Sequence, residues 1–432
     1  MDYFEAMEFI KSKYKLGSKF ELIRVESVLE KLGRPEKNIK AIHIAGTNGK
    51  GSTASGISKV LEVAGYRVGL YISPFIDVFE ERISINGENI SKEDLAEGIS
   101  KIERSIVETE KELGEPLTEF EVITVLMFSY FSEKNVDYAV IETGLGGRFD
   151  ATNVITPILS CITSISLDHM EILGDTLSKI AFEKAGIIKQ NVPVVLFPQV
   201  KEAFNVIEEC AKERNSRLYY FDKDCVKSSI QYKNKPYQDI VIETNRDTYN
   251  VRFSLIGEHQ KYNCAMIIHI CEALMDLEIN LTKDIIYRAL SKVVWIGRLE
   301  IIHENPLVVL DGAHNEDAMK NLAISIDEYF TFDRLFLVFG ILKDKNIEVK
   351  EILSKAHKVY TTEIKIQRTL KAHELYKKCK GFKVLVNCES DPITAILNAI
   401  KEANKEDMIL VCGSFYLIGE VRGKIMREIM YL

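Results

Sequence analysis

The residues best suited to chemistry in this chain form one unbroken run, Gly46-Thr47-Asn48-Gly49-Lys50-Gly51-Ser52-Thr53. Three glycines let the backbone turn tightly and approach a ligand closely, so several N–H groups and a helix N-terminus can point at one anion. Lys50 adds a point charge for a terminal phosphate, and the hydroxyl of Ser52 or Thr53 can face a magnesium ion. The match to the common phosphate loop is incomplete. Ile44 stands where that pattern has its first glycine, and Gly51 follows Lys50 where Ser or Thr is usual. A glycine-rich turn with a stray surface lysine is the plainer alternative. What favours the loop is its setting: the apolar run Ile42-His43-Ile44-Ala45 precedes it, and Ile57, Val60, Leu61 and Ala64 follow at helical spacing.

Other reactive side chains also follow apolar runs. Residues 67–73 read as a strand ending at Ser73. Residues 137–143 read as a strand carrying Glu142 into a glycine-rich turn, and residues 158–166 as one delivering Asp168 and His169. In an open parallel sheet, ligands sit beyond the carboxyl ends of the strands, so the loop, Ser73, Glu142 and His169 are expected along one edge. A lone glutamate after a strand is usually solvated, and a lone histidine usually structural. Together beside a phosphate loop they suit magnesium, which takes one or two carboxylates and few other protein ligands. Histidine is an unusual magnesium ligand, so manganese is also chemically open. Lys184, near the end of an expected helix, reads from its residues as a surface lysine welcome at a helix C-terminus.

Positioning these residues takes more than one core. A chain of 432 residues exceeds what a single core normally supports, so two domains are expected. A formal charge of −8 argues against a protein devoted to nucleic acid, and the basic residues between 11 and 19 read as a solvated face. The eight cysteines are scattered without a C-x-x-C pair, as in a reduced protein. The N-terminus lacks the order of a signal peptide, and no run approaches the roughly 20 apolar residues that cross a bilayer. A cytoplasmic protein without a membrane or nucleic-acid partner is the expectation.

Residues 2–33 read as helical, with Met7, Ile10 and Tyr14, then Ile23, Val28, Leu29 and Leu32 as the apolar positions, and a stop at Gly33 with Pro35 beyond. Gly65 suits the position after the phosphate-loop helix, and Asn86-Gly87 suits a turn. Ser91 with Asp94 opens a long charged helix, and residues 118–133 form another. Short alternating runs from 217 to 256 read as antiparallel hairpins added to the sheet, before helices at 262–277 and 282–292. Trp295-Ile296-Gly297-Arg298 interrupts the pattern. Beyond it, strands at 307–311, 335–339, 358–362, 383–386 and 408–412 alternate with helices. Asp311-Gly312-Ala313-His314-Asn315 follows the first of these strands, and Gly413-Ser414-Phe415-Tyr416 the last. The fold class is α/β: a P-loop-type, mostly parallel sheet domain with a small antiparallel addition at 1–296, then a second Rossmann-like α/β domain at 297–432.

Longer stretches carry a family likeness. HIAGTNGKGST at 43–53, SPF at 73–75, ERI at 81–83, TEFE at 118–121, IETGLGGRFDATNVI at 141–155, SISLDH at 164–169 and EKAGIIK at 183–189 resemble the folylpolyglutamate synthase and dihydrofolate synthase family, the folate branch of the Mur ligases. WIGRLE at 295–300, DGAHN at 311–315 and CGSFYL at 412–417 extend the likeness into the second domain.

The resemblance implies ATP at Asn48, Gly49, Lys50, Gly51 and Ser52, with Asn263, Arg298 and Asp311 as further contacts. It implies magnesium at Ser73, Glu142 and His169, and a Lys184 carbamylated by carbon dioxide, which reverses the reading of that residue above. Lys50, Lys184 and His314 would be the catalytic residues. L-Glutamate would sit at His314, Ser414 and Tyr416, and the pterin of a reduced folate or dihydropteroate at Phe75, Arg82, Thr118 and Phe120. The implied reaction activates a substrate carboxylate as an acyl phosphate, which the amine of glutamate then attacks. A monomer is the expectation.

Three positions depart from the family pattern. Many relatives have His where Phe75 stands, Pro where Ile296 stands, and Asp-Lys-Asp where Asp344-Lys345-Asn346 stands. Two competing readings are weaker. A cell-wall Mur ligase is expected to carry a separate nucleotide-recognising domain, for which residues 1–45 are too few. A non-catalytic nucleotide switch would not need the second-domain motifs.

Overall fold

The computed structural model describes residues 1–13, 21–343 and 350–429. The expectations placed on Tyr14, on the basic residues beyond Lys13 and on Asp344-Lys345-Asn346 lie outside the described residues. Within β1 (Ala41–Ala45) burial alternates between two faces, as a strand's period of two requires. Ile42 and Ile44 enter one core cluster, while Ala41 and Ala45 enter clusters on the other side. Every residue of this strand is buried, because helices cover both faces of the sheet.

Among the described residues β1 belongs to an eight-stranded sheet with β2 (Val68–Tyr71), β3 (Ile83–Ile85), β4 (Glu88–Asn89), β5 (Tyr138–Glu142), β6 (Leu159–Ile162), β7 (Val194–Leu196) and β8 (Leu218–Tyr220). Its order is β4-β3-β2-β5-β1-β6-β7-β8, parallel from β2 to β8, with β3 and β4 antiparallel at one edge. The chain passes from β5 across β1 to β6, which puts the end of β1 at a topological switch point. One face packs on helices Lys50–Val63 and Glu258–Asp276, the other on helices Ile23–Lys31, Lys92–Leu113 and Glu119–Glu133. Val122, Val125, Leu126 and Phe128 on the last of these are fully buried, each stabilising by about 1.5–3 kcal/mol.

Local signals set the element ends. Thr118 caps its helix in a capping box with Glu121, and Ser91 caps Lys92–Leu113 by accepting from Asp94 N at 2.9 Å. The helical reading over 2–33 is met by two helices, Tyr3–Ser12 and Ile23–Lys31, either side of residues outside the description. The hairpin expectation needs correction. β8 joins the parallel sheet beside β7 instead of the hairpins, because parallel pairing with β7 satisfies its backbone groups. The hairpin sheet is therefore only β9 (Val226–Gln231), β10 (Gln238–Glu243) and β11 (Thr248–Phe253).

A second sheet of six strands among the described residues contains β12 (Glu300–Glu304), β13 (Leu307–Asp311), β14 (Leu335–Phe339), β15 (Lys358–Thr361), β16 (Leu385–Cys388) and β17 (Met408–Cys412), in the order β12-β13-β17-β14-β15-β16. β12, which the periodicity does not reveal, is an antiparallel edge on an otherwise parallel sheet. Inserting β17 between β13 and β14 sets Asp311, Cys412 and Phe339 side by side, so the loops after these strands converge. No helix among the described residues is long and apolar enough to cross a membrane, and all eight cysteines are free.

Candidate active site

The carboxyl ends of both sheets open onto one cavity of about 550 Å³. Asn48, Gly49, Lys50, Gly51, Ser73, Glu142, His169 and Lys184 line it from the first sheet, and Arg298, His314, Ser414 and Tyr416 from the second. The first sheet's helices add Arg82, Thr118 and Phe120. The edge expected from strand ends is thus present, facing a second edge across a cleft.

Gly49 has φ +88 and starts helix Lys50–Val63, whose first N–H groups are the free donors an anion would meet. Lys50 Nζ donates to the carbonyls of Gly46 and Thr47 at 3.2 and 3.3 Å and lies 3.8 Å from Glu142 Oε1. Gly51 meets Trp295 so closely that a Cβ would lie 2.2 Å from the indole ring. The expectation that a hydroxyl faces the ion needs correction. Neither Ser52 nor Thr53 lines the cavity, and Ser52 Oγ accepts from Gln260 Nε2 at 3.1 Å. The extra glycine after Lys50 turns the Ser52 hydroxyl onward around the helix, toward Gln260 on the neighbouring helix Glu258–Asp276, and the Thr53 hydroxyl is buried.

Asn263 is also outside the cavity lining. It sits under the loop, where a Cβ on Gly49 would be 2.7 Å from its Oδ1. Asp311 does not line the cavity either; its buried carboxylate accepts from Leu299 N at 2.9 Å and Ala313 N at 2.8 Å. It stands behind Arg298, whose guanidinium covers the Phe415 ring at 4.4 Å and whose buried Nε has no hydrogen-bond partner. A cationic residue with an orphaned donor, on the same cavity as the phosphate loop, suits an anionic ligand.

Burial pushes the Glu142 carboxyl up to about 7, against the pull of Lys50. Its hydrogen bond is a long one, 3.4 Å from Ser73 N. A buried carboxylate so poorly satisfied, with the Ser73 hydroxyl and the His169 imidazole on the same cavity, fits a divalent cation. Among the described residues no group of three His, Cys, Asp or Glu could hold a metal alone. That suits an ion sharing its shell with phosphates. His169 is exposed, with φ +50, at the start of the short helix Met170–Leu173.

Lys184 is buried, which corrects the surface reading made from its residues alone. Its Nζ donates to Gly46 O at 2.7 Å, and burial, helped by the charge of Lys50, lowers its pKa to about 7. On the second-domain side, His314 Nε2 is 4.0 Å from Asp168 Oδ2, and Ser414 Oγ accepts from Tyr416 N at 3.2 Å.

At the far end Phe120 packs under Gly144, and the Arg82 guanidinium lies over the Phe75 ring at 5.3 Å and the Phe79 ring at 5.6 Å. Phe75 itself does not line the cavity; it backs Arg82, which does. Thr118 Oγ1 accepts from Glu121 N at 3.2 Å, so its hydroxyl is the helix cap. Sequence reasoning missed Arg24, Asp150 and Arg368 on the wall. Arg24, buried against Glu121 at 2.9 Å, left one signal, a cation one helical turn before Val28 on an apolar face. Asp150 accepts from Leu145 N at 2.8 Å and from Thr152 Oγ1 at 2.5 Å, and so holds the turn after Glu142.

Comparison with known proteins agrees with this arrangement. The Mur ligase middle domain matches residues 44–271, and the Mur ligase glutamate ligase domain matches residues 297–415. A dihydrofolate synthase/folylpolyglutamate synthase of Bacillus subtilis is 37% identical, over 98% of this chain and 99% of its own length. A Mycobacterium tuberculosis folylpolyglutamate synthase solved with ADP superposes with a TM-score of 0.89 at 28% identity, covering 98% of each chain. A solved FPGS complex with AMPPCP and folate gives 0.84 at 32% identity, over 98% of this chain and 100% of that one. The chain belongs to the folylpolyglutamate synthase and dihydrofolate synthase family of Mur ligases.

Proposed function

We propose that this protein is an ATP-dependent ligase that adds L-glutamate to a reduced folate, releasing ADP and phosphate. The observation that carries the reading is the single cavity on which Lys50, Glu142 and Lys184 from one sheet meet Arg298, His314 and Ser414 from the other. Dihydropteroate presents the same pterin and a carboxylate, and the Bacillus subtilis relative is named for both activities, so it is the second acceptor to test. The nucleotide side is the domain at 1–296 and the glutamate side that at 297–432. The protein acts as a monomer in the cytoplasm.

The triphosphate of ATP lies against the N–H groups of residues 48–52, Ser52 contributing its backbone because its hydroxyl is engaged by Gln260. Asn263 supports the loop from beneath, and Asp311 holds the chain around Arg298. A carboxylate oxygen of the acceptor attacks the γ-phosphorus; the bond to ADP breaks, leaving an acyl phosphate. The amine of glutamate then attacks the acyl carbon, loses a proton, and phosphate departs. Lys50 and Arg298 place positive charge where the phosphoryl oxygens gain negative charge. Magnesium, held at Ser73, Glu142 and His169, would neutralise the same oxygens.

His314, Ser414 and Tyr416 place the glutamate, with the His314 imidazole near enough to Asp168 to take up the ammonium proton. Phe120, Thr118 and Arg82, backed by Phe75, flank the pterin. Lys184, its amine made nucleophilic by burial, adds to carbon dioxide with loss of a proton, and the resulting carbamate supports the metal site. Closure of the cleft keeps water from the acyl phosphate.

Incorporation of labelled glutamate, with ATP and each acceptor in turn, tests the reading. Product and multiple turnovers of ADP should form only when ATP, acceptor and glutamate are all present. ATP hydrolysis indifferent to both co-substrates would overturn it.

A further inference from the structure

The turn 74–78 leaves the first domain and docks on the second. The Ile76 side chain joins the second-domain core beside Leu417, Ile418 and Val421. Its carbonyl lies so close to helix Phe415–Ile429 that a Cβ at Gly419 would be 2.0 Å from the oxygen. One helical turn on, Arg422 Nη1 donates to Asp77 Oδ2 at 2.5 Å, while its Nη2 and Nε grip Glu300 Oε1 at 2.7 and 2.9 Å. Glu300 also accepts from Gly297 N at 3.0 Å, which ties the pair to the segment joining the two sheets. From the first-domain side Glu81 accepts from the N–H groups of Ile76, Asp77 and Val78 at 2.7, 3.0 and 3.1 Å. The turn is thus a preformed hook held at both ends.

The hook begins next to Ser73 and carries Phe75, which backs Arg82 in the cavity wall. The geometry points to Asp77, Arg422 and Gly419 as positioning residues through which the second domain sets the acceptor-binding wall of the first. The inference rests on the proposed ligase reading for its substrate, but the docking itself does not. The side chains of Arg422, Asp77 and Glu300 are 18–24% exposed, so the pair is partly shielded from salt. Removing the guanidinium leaves two carboxylates facing each other, which drives the hook off its seat.

The test uses the full chain with Arg422→Met, Asp77→Asn, the double variant, Arg422→Lys and Gly419→Ala. In steady-state assays, Arg422→Met, Asp77→Asn and Gly419→Ala should each raise the acceptor KM about tenfold and leave the ATP KM unchanged. The double variant should add nothing to either charge variant alone, and Arg422→Lys should recover part of the loss. Hydrogen exchange of the segment around Ile76 should quicken about tenfold in Arg422→Met, whether or not the protein proves to be a folate ligase. An unchanged acceptor KM in an active protein, or unchanged exchange in an inactive one, overturns the inference. Equal rises in both KM values with a lowered Tm would also overturn it, by reducing the pair to a general structural role.

Discussion

Lys184 Nζ lies 2.7 Å from the carbonyl oxygen of Gly46, which ties a buried lysine on helix Leu177–Ala185 to the first residue of the phosphate loop. Burial and the nearby Lys50 charge lower its pKa to about 7, so a large share of the side chain is free amine near neutrality. Enzyme depleted of carbon dioxide should lose most of its activity and regain it with bicarbonate. Isotope-labelled carbon dioxide should give a carbamate signal by NMR that Lys184→Arg lacks. Full activity in depleted enzyme would remove the carbamate.

Glu142 makes a prediction about pH. Its carboxyl, ordinarily near 4.5, is raised to about 7 by burial, so between these values the folded protein holds a proton that the unfolded chain has released. Stability contributed by this group is present below about 4.5 and is lost as pH rises through about 7. Glu142→Gln should lack that decline, with a Tm that exceeds the wild type increasingly across this window. Magnesium with nucleotide should narrow the gap at pH 7 by stabilising the ionised carboxylate of the wild type alone. Glu142→Ala should lower glutamate incorporation by about 10³-fold or more, and near-normal turnover would end the metal role.

The phosphate loop touches the second domain through Asn48, whose Nδ2 donates to Asp317 Oδ2 at 2.8 Å and whose Oδ1 accepts from Asn315 Nδ2 at 3.1 Å. Asp317→Ala should therefore lower kcat about tenfold while changing the ATP KM little, because the loop's backbone donors remain. Single-turnover kinetics check this: acyl phosphate formation should slow in step with kcat.

Gly51 is fixed by packing as well as by chemistry. A methyl group there would lie 2.2 Å from the Trp295 ring, so Gly51→Ala should destabilise the protein by about 1–3 kcal/mol. Adding Trp295→Leu should recover part of the loss in denaturant unfolding, and a fully stable Gly51→Ala protein would disprove the contact.

The residues that had to be read locally were legible in the sequence. β13, β14 and β17 fall at 307–311, 335–339 and 408–412 as their apolar runs require, and Gly49, Thr118 and Ser91 sit where helix starts need them. Strand ends also gave the right edge for Ser73, Glu142 and His169, because parallel sheets put their loops on one side. What depends on partners distant in the chain was not legible. Lys184 resembles any helix-end lysine until the fold buries it against Gly46, and Ser52 resembles an ion ligand until Gln260 takes its hydroxyl. Nothing local announces that Arg422 meets Asp77, or that β8 pairs with β7. Periodicity and caps report what a residue does to its own neighbours, whereas burial, pKa and reach into the cleft are set by side chains that only tertiary packing brings near.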